Sequence, residues 1–538
     1  MMGGQESCVD LLSWATARGI TDAPRSPPMC KNDVNSGCST SDSGHCGMLG
    51  YSLHVATFPE AGGRGLAASR PLKEGELILR VPMSALMSVR SAKEDPQLAK
   101  AMALHPTLSS TQILTVHLLN EVAKGTLSSW YAYLVELPRL HHALAHFSPC
   151  AIQALQVEDA RWVTQKAVQK AVLDWEGSKS FMQDVGLRRR FRSLSAWLWA
   201  SATVSSRTLH VPWDEAGTLC PIGDLFNYAP PGELYFDSNP LDAQVAGELD
   251  LVEENTTSGS DEEFSCSGVT IGERLRDGGY EPDFDEYCFY ARQAYETGDQ
   301  ILLCYGQYNN LELLEHYGFS MCQNPNDVVH LCLPDPTEFG SCSDLLPMNS
   351  GGAAYIEVNG TPSFALLAGL RLRANQPPLR KAKGHLAFMG QQISKESDVL
   401  LYQWLLEKCE SLLACLPTSL EDDLALLEMV ESARDVNQME ILCKSRCNGL
   451  DSAGNVSMSQ QTSGDDNLRQ CRILAELEDV LRSSVVRTNN LETEEEISRD
   501  NSVLDRWWLA VEWRIGYKQI LHRCCVLCTK KIKRLTTS

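Results

Sequence analysis

Three segments rich in glycine, proline and aromatic residues stand far apart in the chain and constrain its fold more than any other feature. They are "AGGRGLAA" at 61–68, "SSRTLHV" to "CPIGDLFNYAP" at 205–230, and "YCFYARQAYETGDQILLCYG" with the residues after it at 287–319. Short apolar and polar alternation, interrupted by glycine or proline, predicts brief strands and tight turns in each. The sequence therefore predicts a small β unit that long insertions interrupt.

These segments hold residue types that bind ligands, although each type also has a purely structural use. Glycines at 62–65 let a backbone approach a ligand closely, but they equally serve a tight turn. Arg207, Asp224 and Asn227 surround a turn of the kind in which Asp and Asn side chains hold backbone amides. Tyr305 and the aromatics after it fit an ordinary core as well as a binding site. Because the glycines lack a strand–helix context, a dinucleotide-binding Rossmann site is excluded.

The three motifs are specific for a known protein family only when they are considered together and in this order. The series of a glycine turn, Ser-Arg, Asp-x-x-Asn, Tyr-Gly and finally Tyr-Gly-Phe resembles the SET-domain methyltransferases typified by Rubisco large-subunit lysine methyltransferase. The resemblance implies an α+β fold with a β-rich SET domain at 50–320, which a helical insertion interrupts at about 90–206. It also implies an all-helical C-terminal domain at 321–538, similar to the substrate-binding domain of that class.

The resemblance further implies a cofactor, S-adenosylmethionine, and a role for each motif residue. Tyr305 matches the catalytic tyrosine, and Ser206, Asp224 and Tyr317 match positions on the acceptor side. Asp224 is expected to be structural rather than a general base, and no residue is expected to bind a metal. The residues implied to hold the cofactor are Gly63, Arg64, Gly65, Arg207, Asn227, Tyr228, Tyr305, Tyr317 and Phe319.

Two features around the motifs bear on the activity. No cysteine cluster follows Tyr317 of the kind that binds zinc in histone-directed SET enzymes; this is normal for the class and favours a non-histone protein substrate of a lysine methyltransferase. Tyr228 stands where the family usually has histidine, and this motivates the alternative of a non-catalytic binding module on the same scaffold. A related branch methylates a histidine of actin, so a histidine acceptor is a further alternative.

The regions around the three segments predict the remaining organisation. Residues 1–49 form an N-terminal extension, partly disordered, with a short helical patch at 9–17. Residues 237–286 hold 15 Asp and Glu against two Arg, which predicts a disordered acidic insert at about 237–280. A polar stretch at 445–468 is a linker. Apolar periodicity predicts helices at 109–176, 188–206, 310–318, 363–374, 395–415, 419–433, 470–485 and 503–534.

Composition narrows the partners. A formal net charge of −22 over 538 residues argues against a general nucleic-acid binder and suits a basic, lysine-rich protein substrate. No apolar run approaches the ~20 residues of a membrane helix. The 20 cysteines, without a secretory signal, predict free thiols. Early Glu6 and Asp10 favour the cytoplasm or nucleus and leave the chloroplast open, and the oligomeric state is not readable.

Overall fold

The structure is a computed structural model that describes residues 4–25, 49–59, 63–231, 277–333, 354–432, 476–477, 479–480, 485–487, 497–499 and 501–537. Most of the predicted acidic insert, the linker at 445–468 and nearly all of the predicted helix at 470–485 lie outside these residues. Residues 278–280, which the sequence assigned to the insert, instead belong to a strand that is antiparallel to Glu286–Tyr290.

Short strands dominate the part of the chain that carries the three motif segments. They are β1 Leu53–Phe58, β2 Gly63–Ala68, β3 Leu77–Pro82, β4 Thr208–Val211, β5 Asp214–Leu219, β6 Asn227–Tyr228, β7 Gly278–Glu281, β8 Glu286–Tyr290 and β9 Gln300–Leu303. One four-stranded sheet has the order β1-β2-β9-β6, and a second sheet has the order β3-β8-β7. The first sheet therefore joins one strand from each motif segment, because β2, β6 and β9 lie side by side.

Helices fill the insertion between the first and second segments. They are α2 Val89–Ala92, α3 Pro96–Leu104, α4 Ser110–Lys124, α5 Tyr131–Leu134, α6 Pro149–Ala154, α7 Glu158–Asp184 and α8 Leu194–Arg207. Ser109 caps α4 through a capping box with Gln112. The prediction of a helical region at 109–176 is confirmed only in part. Gly125, with φ +58°, ends α4, and prolines interrupt the stretch that follows.

One large apolar core lies between these helices and the two sheets. It includes Leu66 of β2, Phe289 of β8, Leu118 of α4 and Trp197 of α8, all of them buried. Each buried side chain of this size contributes about 1.5–3 kcal/mol. The insertion therefore packs against the two sheets and holds in place the sheet that carries the motifs.

The N-terminal extension also contributes to this core. Helix α1, Gly4–Ala17, buries Leu11 and Ala15 against it, and Ile20 follows after the helix end. The buried Asp22 accepts backbone amides from Gly50, Ser52 and Leu53 at 2.7–3.0 Å. The described part of the extension therefore packs against the residues after 50, because the apolar face of α1 is buried in the same core.

The C-terminal part is mainly helical. Its helices, with the one that opens it, are α9 Asn310–His316, α10 Phe364–Arg373, α11 Pro377–Lys383, α12 His385–Phe388, α13 Lys395–Ala414, α14 Leu420–Ser432 and α15 Asn501–Thr537. Its strands form two antiparallel pairs: β10 Val328–His330 with β11 Tyr355–Glu357, and β12 Val485–Arg487 with β13 Ile497–Arg499. The expectation of an all-helical domain is therefore corrected by these short strands, which are too brief to show a sequence period.

A second core crosses the predicted boundary at residue 321. Leu144, Phe147 and Leu155 of the insertion pack with Trp507 and Val511 of α15. Because both halves bury side chains in this one cluster, the structure does not separate them at that point. Among the residues that the structure describes, no helix is long and apolar enough to cross a membrane.

Candidate active site

Tyr305 follows β9 and lines a cavity of about 680 Å³. Its hydroxyl donates a hydrogen bond to the main-chain carbonyl of Phe226, next to β6. Burial raises the pKa of Tyr305 above its ordinary value, and the nearby Arg207 acts in the opposite direction. The phenol is therefore neutral at physiological pH, and its oxygen keeps lone pairs that can face a ligand in the cavity.

Arg207, at the end of α8, is fixed by Asp224 on the same cavity wall. Its Nη1 donates to the main-chain carbonyl of Asp224 at 2.9 Å and to Oδ2 at 3.1 Å. Tyr133 of α5 donates its hydroxyl to the same Oδ2 at 2.9 Å. Burial raises the pKa of Asp224 and outweighs the opposing effect of Arg207. Because Arg207 and Tyr133 both bond to it, the Asp224 carboxylate fixes the positions of these two side chains.

The turn before Asp224 is strained in a way that sets this geometry. Ile222 has φ +69°, a left-handed conformation that β-branched residues rarely adopt. The amide of Asp224 nevertheless donates to the carbonyl of Cys220 at 2.9 Å, which closes the turn. Strain of this kind persists where surrounding packing enforces it and is common at functional sites.

Gly63, Arg64 and Gly65, which the sequence assigned to a turn, lie in strand β2, and β9 separates β2 from β6 in the same sheet. Gly65 has no room for a side chain, since a Cβ there would come within 2.7 Å of Asn227 Nδ2 and 3.0 Å of the Phe58 ring. Asn227 Nδ2 reaches the carbonyl of Arg64 at 3.4 Å. The Arg64 side chain turns to Glu136, at the end of the α5 segment, whose main-chain carbonyl accepts at 2.8 Å. The backbone of β2 and the amide of Asn227 thus form a narrow cradle.

Aromatic rings connect the cradle with the cavity. The ring centroids of Tyr305 and Tyr317 lie 5.0 Å apart, and those of Tyr228 and Tyr305 lie 5.3 Å apart. Phe319 lies 6.0 Å from Tyr228. The hydroxyl of Tyr228 donates to the carbonyl of Gly306 at 2.9 Å, so the tyrosine present at this family histidine position is fixed in place.

The predicted residues divide into two groups around Tyr305. Those that line the cavity are Ser206, Arg207, Asp224, Tyr305 and Tyr317. Those on the cradle side are Gly63, Arg64, Gly65, Asn227, Tyr228 and Phe319, which do not line that cavity. Ser206 donates its hydroxyl to the carbonyl of Ala202 in its own helix at 2.7 Å, so only part of it faces the cavity.

Sequence reasoning missed several residues around the site. Tyr133 does not line the cavity and has no motif around it, and only its tertiary contact with Asp224 reveals it. Phe226, Tyr287 and Tyr308 line the cavity itself. Phe226 directly precedes Asn227 in the second motif segment, and this position in the sequence could have identified it as a site residue. Within the described parts of the chain, no group of His, Cys, Asp and Glu has the arrangement of a metal site.

The fold and this arrangement define a SET-domain protein of the Rubisco large-subunit methyltransferase type, and the chain belongs to that family of methyltransferases. A family model described as "Rubisco LSMT substrate-binding" matches residues 356–521. Protein SET DOMAIN GROUP 40 of Arabidopsis thaliana is 41% identical over 489 residues, which are 90% of this chain and 91% of that protein.

More distant relatives agree with this family. An actin-histidine N-methyltransferase from Xenopus tropicalis is 25% identical over 421 residues, covering 70% of this chain and 62% of that protein. A crystal structure of the SET domain of LSMT bound to lysine and AdoHcy has a TM-score of 0.52, with 14% identity over 99% of this chain and 93% of that one. At that identity the structural likeness supports the fold alone.

Proposed function

We propose that the protein transfers the methyl group of S-adenosylmethionine to a lysine side chain of a non-histone protein. The observation that carries the proposal is that Tyr305 lines an aromatic-walled cavity with Asp224 and donates its hydroxyl to the carbonyl of Phe226, the neighbour of Asn227 in the cradle. When bound, S-adenosylmethionine supplies an activated methyl group on a sulfonium that needs no acid to leave.

The residues of the cradle and its surroundings are suited to bind S-adenosylmethionine. Because Gly65 carries no side chain, the Asn227 amide lies directly against β2, beside the less buried Gly63 and Arg64. Arg207 would face an anionic group of the cofactor, since Asp224 neutralises only part of its guanidinium and leaves further N–H donors. The rings of Tyr228, Tyr317 and Phe319 would cover apolar parts of the cofactor.

A lysine acceptor fits the walls of the cavity. Phe226, Tyr287, Phe289 and Tyr317 line it, and aromatic faces stabilise an alkylammonium group by about 0.5–2 kcal/mol. Burial among these rings lowers the pKa of an incoming lysine from about 10.4 toward the neutral form that can react. Tyr305 would orient the amine with its oxygen, while its own O–H continues to donate to the Phe226 carbonyl.

A histidine acceptor is the second candidate, and two observations favour it. The chain is similar to an actin-histidine N-methyltransferase over 70% of its length. The carboxylate of Asp224 also lines the cavity and could accept an imidazole N–H. Imidazole is already largely neutral at pH 7, so it would need less help from burial.

The pH dependence of the rate distinguishes the two acceptors. The pKa of Tyr305 is raised, so this phenol contributes no ionisation in the working range. With lysine as acceptor, kcat/KM should rise nearly tenfold per pH unit between about 7 and 9, as the neutral amine fraction grows. With histidine, the profile should be flat above about pH 7.5.

The experiment incubates the purified protein with tritiated S-adenosylmethionine and an extract of cells that lack the enzyme, and then hydrolyses the labelled protein. Methyl-lysine should carry the label. Tyr305→Phe should lower kcat by roughly 10²–10³-fold and leave S-adenosylmethionine binding nearly unchanged. Tyr131→Phe, at an exposed tyrosine, is the matched control.

Each other outcome contradicts part of the proposal. Label in methylhistidine, with a flat profile, would replace lysine by the second candidate. Full activity in Tyr305→Phe would remove Tyr305 from the reaction. If the protein neither labels anything nor binds S-adenosylmethionine at millimolar concentration, the scaffold is a non-catalytic binding module.

A further inference from the structure

A long stretch of the C-terminal part contains no acidic residue. Residues 358–395 hold six Lys and Arg and no Asp or Glu, although the whole chain has 69 acidic residues in 538. Lys381 and Lys383, on α11, are exposed, and no ion pair to them is seen among the described residues. Arg371 and Arg373 are buried, so the surface charge of this stretch comes from the exposed Lys381, Lys383 and Lys395 and the half-buried Arg380. These cations give a protein of net charge −22 a local basic surface.

Large apolar side chains are exposed beside these cations. Phe364 at the start of α10 is 57% exposed, and Phe388 and Met389 at the end of α12 are 57% and 65% exposed. They are close together, since a Cβ on Gly390 would lie 3.6 Å from the Phe364 ring. Exposed aromatics and methionine that cluster in this way mark interaction sites.

The exposure of Phe364, Phe388 and Met389 does not result from the lack of a core in this part of the fold. The same helices, α10 and α12, bury Ala368, Leu372 and Ala387 in a small core that Ile393, just before α13, completes. The helices thus have an inner apolar face that is satisfied and an outer apolar group that faces solvent. Folding alone does not account for the outer group.

A buried ion pair holds this outer group in one position. Gly390 ends the segment with φ +73°, and its carbonyl accepts from Arg371 Nη1 at 2.8 Å. Arg371 also pairs with Asp398 of α13 through two bonds of 3.1 and 3.2 Å, and both side chains are buried. An anchor that is rigid before binding loses less conformational entropy on contact with a partner.

We infer that this surface, formed by Phe364, Arg380, Lys381, Lys383, Phe388 and Met389, docks the protein substrate through a segment that presents apolar side chains among acidic ones. The inference rests on the proposed function for the identity of the partner. Charge complementarity carries it, because an acidic segment matches the exposed lysines of a stretch, residues 358–395, that contains no carboxylate. A protein is favoured over an anionic membrane because residues 356–521 match a family model described as substrate-binding.

The test measures binding without methyl transfer. The probe is a fluorescein-labelled short peptide of Glu, Leu and Trp that contains no lysine or histidine, with a peptide in which Lys replaces Glu as the charge control. The full-length protein should bind the acidic peptide and not the basic one. The double variants Phe388→Ala/Met389→Ala and Lys381→Glu/Lys383→Glu should each weaken binding at least about tenfold.

A matched control is Leu104→Ala/Leu127→Ala, which removes two apolar side chains that are 63% and 88% exposed elsewhere. It should bind the peptide as the unmodified protein does. An excess of the acidic peptide should also reduce labelling of the extract protein. Failure of that inhibition alone, with binding intact, would assign the surface to a protein other than the substrate.

Other outcomes would overturn the docking site without touching the proposed activity. The proposal is wrong if the acidic peptide does not bind, or if it binds both double variants as well as the unmodified protein. Self-association that Phe388→Ala/Met389→Ala abolishes would identify a second copy of the chain as the occupant. Sedimentation with phosphatidylserine vesicles, in the absence of peptide binding, would identify an anionic membrane.

Discussion

Tyr133 shows how one side chain outside every motif can support the candidate site. It is 2% exposed, and its hydroxyl is one of the two groups that hold Asp224 Oδ2. Tyr133→Phe should destabilise the protein by about 1–3 kcal/mol at pH 7, because a buried charged acceptor loses a donor. Urea denaturation measures this. Tyr131→Phe, two residues away and exposed, should stay within about 0.5 kcal/mol.

The pH dependence of that loss follows from the raised pKa of Asp224. A carboxyl whose pKa is higher in the folded than in the unfolded protein disfavours folding when ionised, and this cost disappears as the pH falls. The hydroxyl of Tyr133 stabilises the ionised form. The difference between Tyr133→Phe and the unmodified protein should therefore shrink as the pH is lowered, and a constant difference would show that Asp224 is not charged at pH 7.

The order of the motifs placed Asp224, Tyr305 and Tyr317 in one site, and in the structure all three line one cavity. The catalytic and binding roles that the resemblance implies stay predictions. The partners that fix them could not be predicted, because Tyr133 and Glu136 lie in an insertion with no distinctive pattern. Their contacts depend on how α5 packs, which no local signal specifies.

At the scale of elements, α1 belongs to the catalytic core. Leu11 is buried there, and Trp14 donates its indole N–H to the carbonyl of Ser129 at 2.8 Å. Leu11→Ala should cost about 2–5 kcal/mol, measured by urea denaturation, because the cavity it leaves cannot collapse fully. Leu104→Ala, at an exposed leucine, should have little effect. A loss below about 1 kcal/mol at Leu11 would mean that α1 packs only loosely.

Elements were predictable where a local signal marks them. α9 begins after Asn309, whose side chain accepts the amide of Glu312 in a capping box, and the sequence placed a helix there. Strands β10 and β11 were missed because each has three residues and its partner lies 27 residues away. Non-local pairing of this kind leaves no period in the sequence.

At the scale of the molecule, a buried ionic cluster joins the insertion to the C-terminal helices. Arg514 and Lys518 of α15 are fully buried, and both pair with Asp423 of α14. Arg514 also donates to the carbonyl of Ala154 in α6 at 2.7 Å. Burial lowers the pKa of Lys518 and opposes the effect of Asp423. The two halves therefore share charges as well as an apolar core, and we expect them to unfold together.

Asp423→Ala should destabilise the whole molecule by about 3–5 kcal/mol, because the buried Lys518 loses its counter-charge and the buried Arg514 keeps only that of Glu476. Asp423→Ala combined with Lys518→Met should recover part of this loss, since one uncompensated cation is then gone. Asp174→Ala, which breaks an exposed pair with Lys170, should change stability by less than about 0.5 kcal/mol. Urea denaturation followed by tryptophan fluorescence should give one transition in each variant. A second transition in Asp423→Ala alone would show that the cluster is what couples the two halves.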